Sequence, residues 1–175
     1  MLQSAGIRTI SATELDDIVP ELAELLRDTV NTGGPSLGFL PPVSAAAGCA
    51  YWRSLRPELQ SGSRLLLVAF ARGRVIGSGQ LELPHWPNAP HRAELQKLLV
   101  AAALRGRGIG KLLIGALHDA ARRLGRSLLI LNARHGGPAE RLYKRLGYRE
   151  AGVVPGFTVG PAGERYDCIT LYQEL

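Results

Sequence analysis

The chain predicts an α/β (α+β) fold, with a mixed, mostly antiparallel sheet of six to seven strands flanked by about four helices. Three observations carry this expectation. An apolar stretch at 98–104 passes through the glycine-rich segment 105–111 into Leu112, Leu113, Ala116, Leu117, Ala120 and Leu124 at helical spacing, which reads as strand, loop, helix. A continuous apolar run at 128–131 follows, as expected of a parallel strand covered on both faces. Strand, helix and strand this close together imply a right-handed βαβ unit.

The remaining elements follow in order. Residues 8–10 predict a short first strand. Thr13 offers an N-cap, with Glu14, Asp16 and Asp17 in the first turn, to a helix reaching Val30. Pro20 inside it predicts a kink or a break. Residues 31–42, NTGGPSLGFLPP, exclude helix and central strand and form a long loop of the kind that often serves function. Residues 44–60 suggest a second helix carrying Cys49, Tyr51, Trp52 and Leu55. Residues 65–71 and 75–83 read as a hairpin around Arg72-Gly73-Arg74, and HWPNAPH (85–91) is a rigid connection to a strand at 92–100.

The helix after the glycine loop ends at Gly125, with Arg122 and Arg123 complementing its C-terminal dipole. Pro138 opens a short helix whose apolar face is Ala139, Leu142, Tyr143 and Leu146, and Gly147 stops it. Residues 149–154 and 165–173 supply two last strands, separated by PGFTVGPAG. The order is β-α-α-β-β-β-α-β-α-β-β. Without internal repeat or linker, 175 residues fit one domain spanning 1–175 with a proper core.

Composition narrows the class. Hydrophobic residues make up 46% and charged residues 21%, ordinary values for a globular chain. No apolar run approaches the roughly 18 residues of a membrane span, and MLQSAGIRTI lacks a signal-peptide core, so a cytoplasmic protein without membrane contact is expected. Cys49 and Cys168 read as free buried thiols, and neither C-x-x-C nor clustered histidines suggest a metal. The net charge of +6 fits an anionic ligand, while no aromatic RNA platform or zinc-finger spacing accompanies it, so no nucleic-acid partner is expected.

Arg105-Gly106-Arg107-Gly108-Ile109-Gly110-Lys111 carries the most chemistry. A glycine loop opening a helix leaves backbone N–H groups unpaired where the helix dipole also favours negative charge, which makes a phosphate site. Two familiar loops fail on spacing. A dinucleotide fingerprint starting at Gly106 requires glycine where Lys111 stands, and a P-loop ending at Gly110-Lys111 requires glycine at Arg105 and Ser or Thr at Leu112.

The pattern R-x-x-G-x-G does fit, at Arg105, Gly108 and Gly110, and resembles the acyl-CoA pyrophosphate loop of the GNAT superfamily of N-acetyltransferases. The fuller family form, L-x-V-x-P-x-x-R-G-x-G-I-G, is met at Leu98, Val100, Arg105, Gly106, Gly108, Ile109 and Gly110, with Ala102 in place of the proline. The element order resembles the whole GNAT fold. The resemblance implies a central pair of parallel strands, 92–100 and 128–132, that splay apart and receive pantetheine. It also implies acetyl-CoA as acetyl donor, held by Leu98, Leu99, Val100, Arg105, Gly106, Arg107, Gly108, Ile109, Gly110, Lys111 and Tyr143, without a metal.

Acetyl transfer to an amine needs an uncharged nucleophile, oxyanion stabilisation and help for the departing thiolate. Strand alternation puts Glu94 and Gln96 on one face with Leu98 and Val100. Glu94 is the expected catalytic base, since a carboxylate in a central strand is costly unless paired or used; a structural ion pair with Arg92, Lys97 or a lysine or arginine elsewhere is the alternative. From an α-ammonium to an ordinary glutamate, direct proton transfer is uphill by about 3.5 pKa units, about 5 kcal/mol. Desolvation or a water chain has to close that gap.

Tyr143 stands where many GNAT members place a tyrosine near the CoA sulfur, and its place on an apolar helix face equally suits a core tyrosine. A phenol giving its proton to a thiolate is uphill by about 2 kcal/mol, so hydrogen bonding to sulfur suffices as its role. Seven residues before this tyrosine the family often has Asn, where this chain has Gly136. Asn132, at the end of its strand, either meets substrate, orients a water or caps the strand.

Further segments, VNTGGPSLGF (30–39), RAELQKLLV (92–100), LRGRGIG, AERLY (139–143) and VPGF (154–157), resemble the tabtoxin-resistance type of acetyltransferase, which acetylates the amine of a small β-lactam toxin. That subgroup has an acidic residue where Asn132 stands. The resemblance implies a small primary amine as acceptor, amino-acid-like, toxin or antibiotic, in a pocket walled by Gly33, Gly34, Phe39, Trp86, Gln96, Asn132 and Phe157, although the loop residues also fit turns and packing. The alternatives are a protein or peptide N-acetyltransferase, a catalytically silent CoA-binding protein and an RNA-binding accessory protein. A homodimer is left open.

Overall fold

The computed structural model describes residues 6–33 and 38–175. Seven strands form one sheet in the order β1-β2-β3-β4-β5-β7-β6, with β1 (Gly6–Ile10), β2 (Arg64–Ala71), β3 (Arg74–Glu82), β4 (Arg92–Val100), β5 (Leu128–Arg134), β6 (Arg149–Val159) and β7 (Arg165–Glu174). Every pairing is antiparallel except β4 with β5. That pair is short. It registers only Arg92 with Leu128, Ala93 with Leu129 and Glu94 with Ile130, after which the two strands part.

Period-two alternation divides the core between two faces. Leu66, Val68 and Leu99 pack with α1 (Leu15–Gly33) and α2 (Ala45–Ser54), where Trp52 is fully buried. Leu67, Leu81, Ala93, Leu95, Leu129 and Leu131 pack on the other face, against α4 (Ile109–Arg123) and α5 (Pro138–Arg145). Glycine in β3 lets α4 approach the sheet. A Cβ at Gly77 would lie 2.9 Å from Leu113 Cδ1 and 2.9 Å from the Leu99 carbonyl oxygen. Gly77→Ala is therefore expected to cost about 1–3 kcal/mol, read as a lower denaturant midpoint at unchanged slope.

Several boundaries differ from those expected, each for a local reason. α1 runs unbroken through Pro20 and on to Gly33, so residues 31–33 of the expected loop are helical. Pro20 and Asp16, whose carbonyl loses its helical partner, are both exposed, so the missing bond falls on the solvent side of the helix rather than in the core. The cap before α1 is a box at Ser11 and Glu14 rather than Thr13: the Ser11 amide donates to Glu14 Oε2 at 3.0 Å, and the Glu14 amide donates to Ser11 Oγ at 3.3 Å. The helix expected over 44–60 divides into α2 and α3 (Arg56–Ser61), because Pro57 in the first turn of α3 has no N–H with which to continue α2. β5 continues to Arg134, placing Asn132 inside the strand rather than at its end. β6 continues through Pro155-Gly156-Phe157, where a register shift between Val154 and Thr158 absorbs the irregular residues. Cys49 is half-buried, Cys168 is buried, and both are free.

A bulge in β4 changes which side chains share a face. Ser78 pairs with Leu99 and Gln80 with Gln96, so Gly79 alone opposes Lys97 and Leu98, and Lys97 has φ +48°. The bulge shifts the alternation by one residue. Leu98 and Val100 therefore turn to the α4 side, and Leu99, rather than Leu98 and Val100, shares the α2 side with Gln96.

Candidate active site

The end of β4 leads into a short 3₁₀ turn at Ala102–Leu104, then Arg105, Gly106 (φ +74°) and Gly108 (φ +85°), the N-cap of α4. Glycine is required at both because an L side chain is strained at such φ, and the space a Cβ would occupy is open, leaving the backbone approachable. The Leu112 amide makes the bond to the Gly108 carbonyl at 3.0 Å. The amides of Ile109, Gly110 and Lys111 precede it in the first helical turn, where N–H groups have no intrahelical acceptor.

Two contacts fix the base of the loop. The Ala102 amide donates to Asp28 Oδ2 of α1 at 2.7 Å, and Arg105 Nε donates to the Val100 carbonyl at 3.2 Å. Ile109 is buried beneath the loop, while Arg107 and Lys111 are exposed above it. The donors and open space suit a pyrophosphate, with cationic side chains at the rim.

Glu94 is half-buried and lies at the last registered β4–β5 pair, opposite Glu82 across the β3–β4 ladder. These two carboxylates are treated differently by their surroundings. Glu82 Oε2 accepts from Arg64 at 3.2 Å and from Gln96 Nε2 at 2.7 Å. Glu94 forms no hydrogen bond or ion pair among the described residues, so the structural pairing with Arg92 or Lys97 is not made there. Arg64, nearly buried in β2, also donates to Gln80 Oε1 at 2.9 Å and Gln96 Oε1 at 3.1 Å, and it pairs with Glu58 of α3. The fully buried Gln80 donates to the Tyr51 hydroxyl at 3.1 Å. This network of Tyr51, Arg64, Gln80 and Glu82 underlies Gln96, and both ends of the Gln96 amide are engaged in it.

Tyr143 of α5 is buried on the α4 side, with its ring edge-on to Tyr148 at 5.3 Å. Burial, and secondarily the neighbouring Tyr148, raise its hydroxyl pKa far above the ordinary value. Tyr148 in turn meets His118 Nε2 at 2.9 Å. A phenol so disfavoured as an anion is a hydrogen-bond donor and a poor source of a transferred proton.

The residues expected to wall an acceptor pocket are placed unequally. Phe39 packs edge-on against Tyr51 at 5.2 Å on the α2 side. Asn132 lies two residues beyond Ile130, and its Oδ1 accepts from Thr170 Oγ1 at 2.8 Å. Phe157 is exposed on β6, whose neighbour β7 pairs with β5 along its whole length, Leu128 to Arg134. Trp86, 68% exposed, lies instead with Asn88, Arg92 and Leu128 at the opening ends of β4 and β5, away from the part where the strands separate. Gly33 closes α1, and Gly34 falls outside the described residues.

Lys97 was not among the expected site residues. Strict alternation assigns it to the face opposite Gln96, but the bulge brings its Nζ within 5.9 Å of the Phe39 ring centroid and 5.5 Å of the Tyr51 centroid. Positive φ at a lysine has no signature in composition or periodicity.

Comparison with known proteins agrees with this architecture. Residues 40–148 match the Acetyltransferase (GNAT) family. The fold is similar to that of ribosomal-protein-alanine N-acetyltransferase from Brucella melitensis, at 24% identity and TM-score 0.78, covering 97% of this chain and 99% of that one. It is also similar to a GNAT superfamily phosphinothricin acetyltransferase from Sinorhizobium meliloti solved with AcCoA, at 24% identity and TM-score 0.76, covering 99% of this chain and 89% of that one. An acetyltransferase of the GNAT family from Streptococcus pneumoniae superposes with TM-score 0.77 at 18% identity, covering 98% of this chain and 100% of that one. With more than half its length matched by the family, and with the parted strand pair and glycine loop in place, this chain belongs to the GNAT acetyltransferase family.

Proposed function

We propose that this protein is an acetyl-CoA-dependent N-acetyltransferase acting on the primary amine of a small molecule. The observation that carries the reading is the parting of β4 and β5 immediately after Glu94 and Ile130, with β4 continuing from there into the glycine loop. Structures of similar fold from Sinorhizobium meliloti and Salmonella typhimurium are complexes with acetyl-CoA. The open, donor-rich loop of this chain fits the same molecule.

Acetyl-CoA supplies the acetyl group when bound. The amides of Ile109, Gly110 and Lys111 receive the pyrophosphate, with Arg105, Gly106, Arg107 and Gly108 shaping its seat, and Leu98, Leu99 and Val100 flank the pantetheine arm. Glu94 takes the proton of the acceptor ammonium, directly or through water. Tyr143 donates a hydrogen bond to the departing sulfur. Gln96, Phe39, Asn132 and Phe157 border the acceptor, with Gln96 held in place by Arg64 and Glu82.

Two measurements test the reading. Saturating acetyl-CoA is expected to raise the melting temperature, as a native-state ligand must. Free thiol is expected to appear when acetyl-CoA is mixed with a panel of amines that includes amino acids, antibiotics and peptides. No melting shift and no thiol release with any amine would remove the assignment. Tyr143→Phe is expected to lower kcat by about tenfold or more, equivalent to roughly 1.4 kcal/mol, with acetyl-CoA affinity little changed. An unchanged kcat would return Tyr143 to the core alone.

A further inference from the structure

The α2 side of the sheet holds an ammonium as well as carboxylates. Lys97 is half-buried, its Nζ lies near the Phe39 and Tyr51 rings, and a Cβ at Gly38 would be 4.0 Å from it. The polar groups around it are largely committed. Arg64 is shared among Glu58, Glu82, Gln80 and Gln96, the Tyr51 hydroxyl meets Gln80, and Glu82 accepts from Arg64 and Gln96. Among the described residues Lys97 forms no ion pair within 4.0 Å. Aromatic faces compensate a partly dehydrated cation only in part. Burial and then the Arg64 charge lower the Lys97 pKa, against the opposing pull of Glu94 and Glu82. A bound anion would offset both by Coulombic attraction.

We infer that the acceptor is a zwitterion, an amino acid or close analogue whose carboxylate pairs with Lys97 while its amine meets Glu94. The inference rests on the acetyltransferase reading and names the substrate class for that site. Two groups of opposite charge, three residues apart on one strand, read opposite ends of one small molecule. The bulge makes this arrangement, since a regular strand would send Lys97 through to the α4 side. A neutral analogue leaves the ammonium unpaired in a partly dry niche, which is the repulsive half of the specificity.

The test compares the twenty L-amino acids with their primary amides, alongside tyramine and spermidine, by thiol release from acetyl-CoA. At least one acid is expected to exceed its amide by about 20-fold or more in kcat/KM, in the range of a desolvated charge pair. Lys97→Met, which keeps the apolar stem, is expected to bring that ratio below about threefold through acceptor KM, and Lys97→Arg to restore part of it. The melting shift with acetyl-CoA is expected to be equal in wild type and both variants, showing the fold and donor site intact. Equal use of acids and amides, or a preference surviving in Lys97→Met, overturns the inference. Thiol release with tyramine or spermidine but no amino acid overturns it while leaving the acetyltransferase reading in place. No release with any amine, together with no melting shift, removes both.

Discussion

Glu94→Gln is expected to lower kcat by about 10²–10⁴-fold, the usual contribution of a positioned general base, while the KM for acetyl-CoA stays within about twofold. The expectation follows from the difference between two neighbouring carboxylates. Glu82 is bound to Arg64 and Gln96, so protonating it means breaking those contacts. Glu94 has no such partner among the described residues and sits where β4 and β5 separate. Glutamine keeps the shape and removes the negative charge, and with it the ability to accept a proton. Steady-state kinetics at saturating donor provide the check. A larger loss in Glu82→Gln than in Glu94→Gln would move the base to β3.

Gly108→Val is expected to raise the KM for acetyl-CoA by about tenfold or more, equivalent to roughly 1.4 kcal/mol of donor binding. At φ +85° a β-branched residue costs at least about 1–2 kcal/mol, so the loop gives up the conformation that presents its amides. The position a Cβ would take is open, which separates this effect from a packing clash. Gly125→Val is the matched control. Gly125 also has positive φ, +70°, with open space around it, but stands at the far end of α4. Both variants should lose stability, and only Gly108→Val should lose donor affinity. Equal KM values in the two would separate the glycine loop from donor binding.

The glycine loop, the βαβ unit and the positions of Glu94 and Tyr143 are legible in the sequence because each depends on local chemistry: helical spacing after Gly110, an apolar run at 128–131, an apolar face after Pro138. Chain breaks are legible only where the competing bond can be counted. Pro57 divides a helix because its missing N–H falls at the α2–α3 junction, whereas Pro20 leaves one exposed carbonyl and the helix continues. The acceptor side is harder to read. It depends on the two-for-one bulge at Lys97 and Leu98, which reverses the faces of Leu98 and Val100 and brings Lys97 beside Tyr51 and Phe39. It depends also on Arg64, which gathers Glu58, Gln80, Glu82 and Gln96 from two strands and a helix. Such contacts are set by sheet order, and no periodicity within one segment encodes them.

A crystal structure of the acetyl-CoA complex tests the division of labour most directly. The pyrophosphate is expected on the amides of Ile109, Gly110 and Lys111, and the thioester between β4 and β5 just beyond Glu94 and Ile130, with its sulfur facing the Tyr143 hydroxyl. A pyrophosphate bound away from the head of α4, or a thioester outside the gap between β4 and β5, would contradict that division.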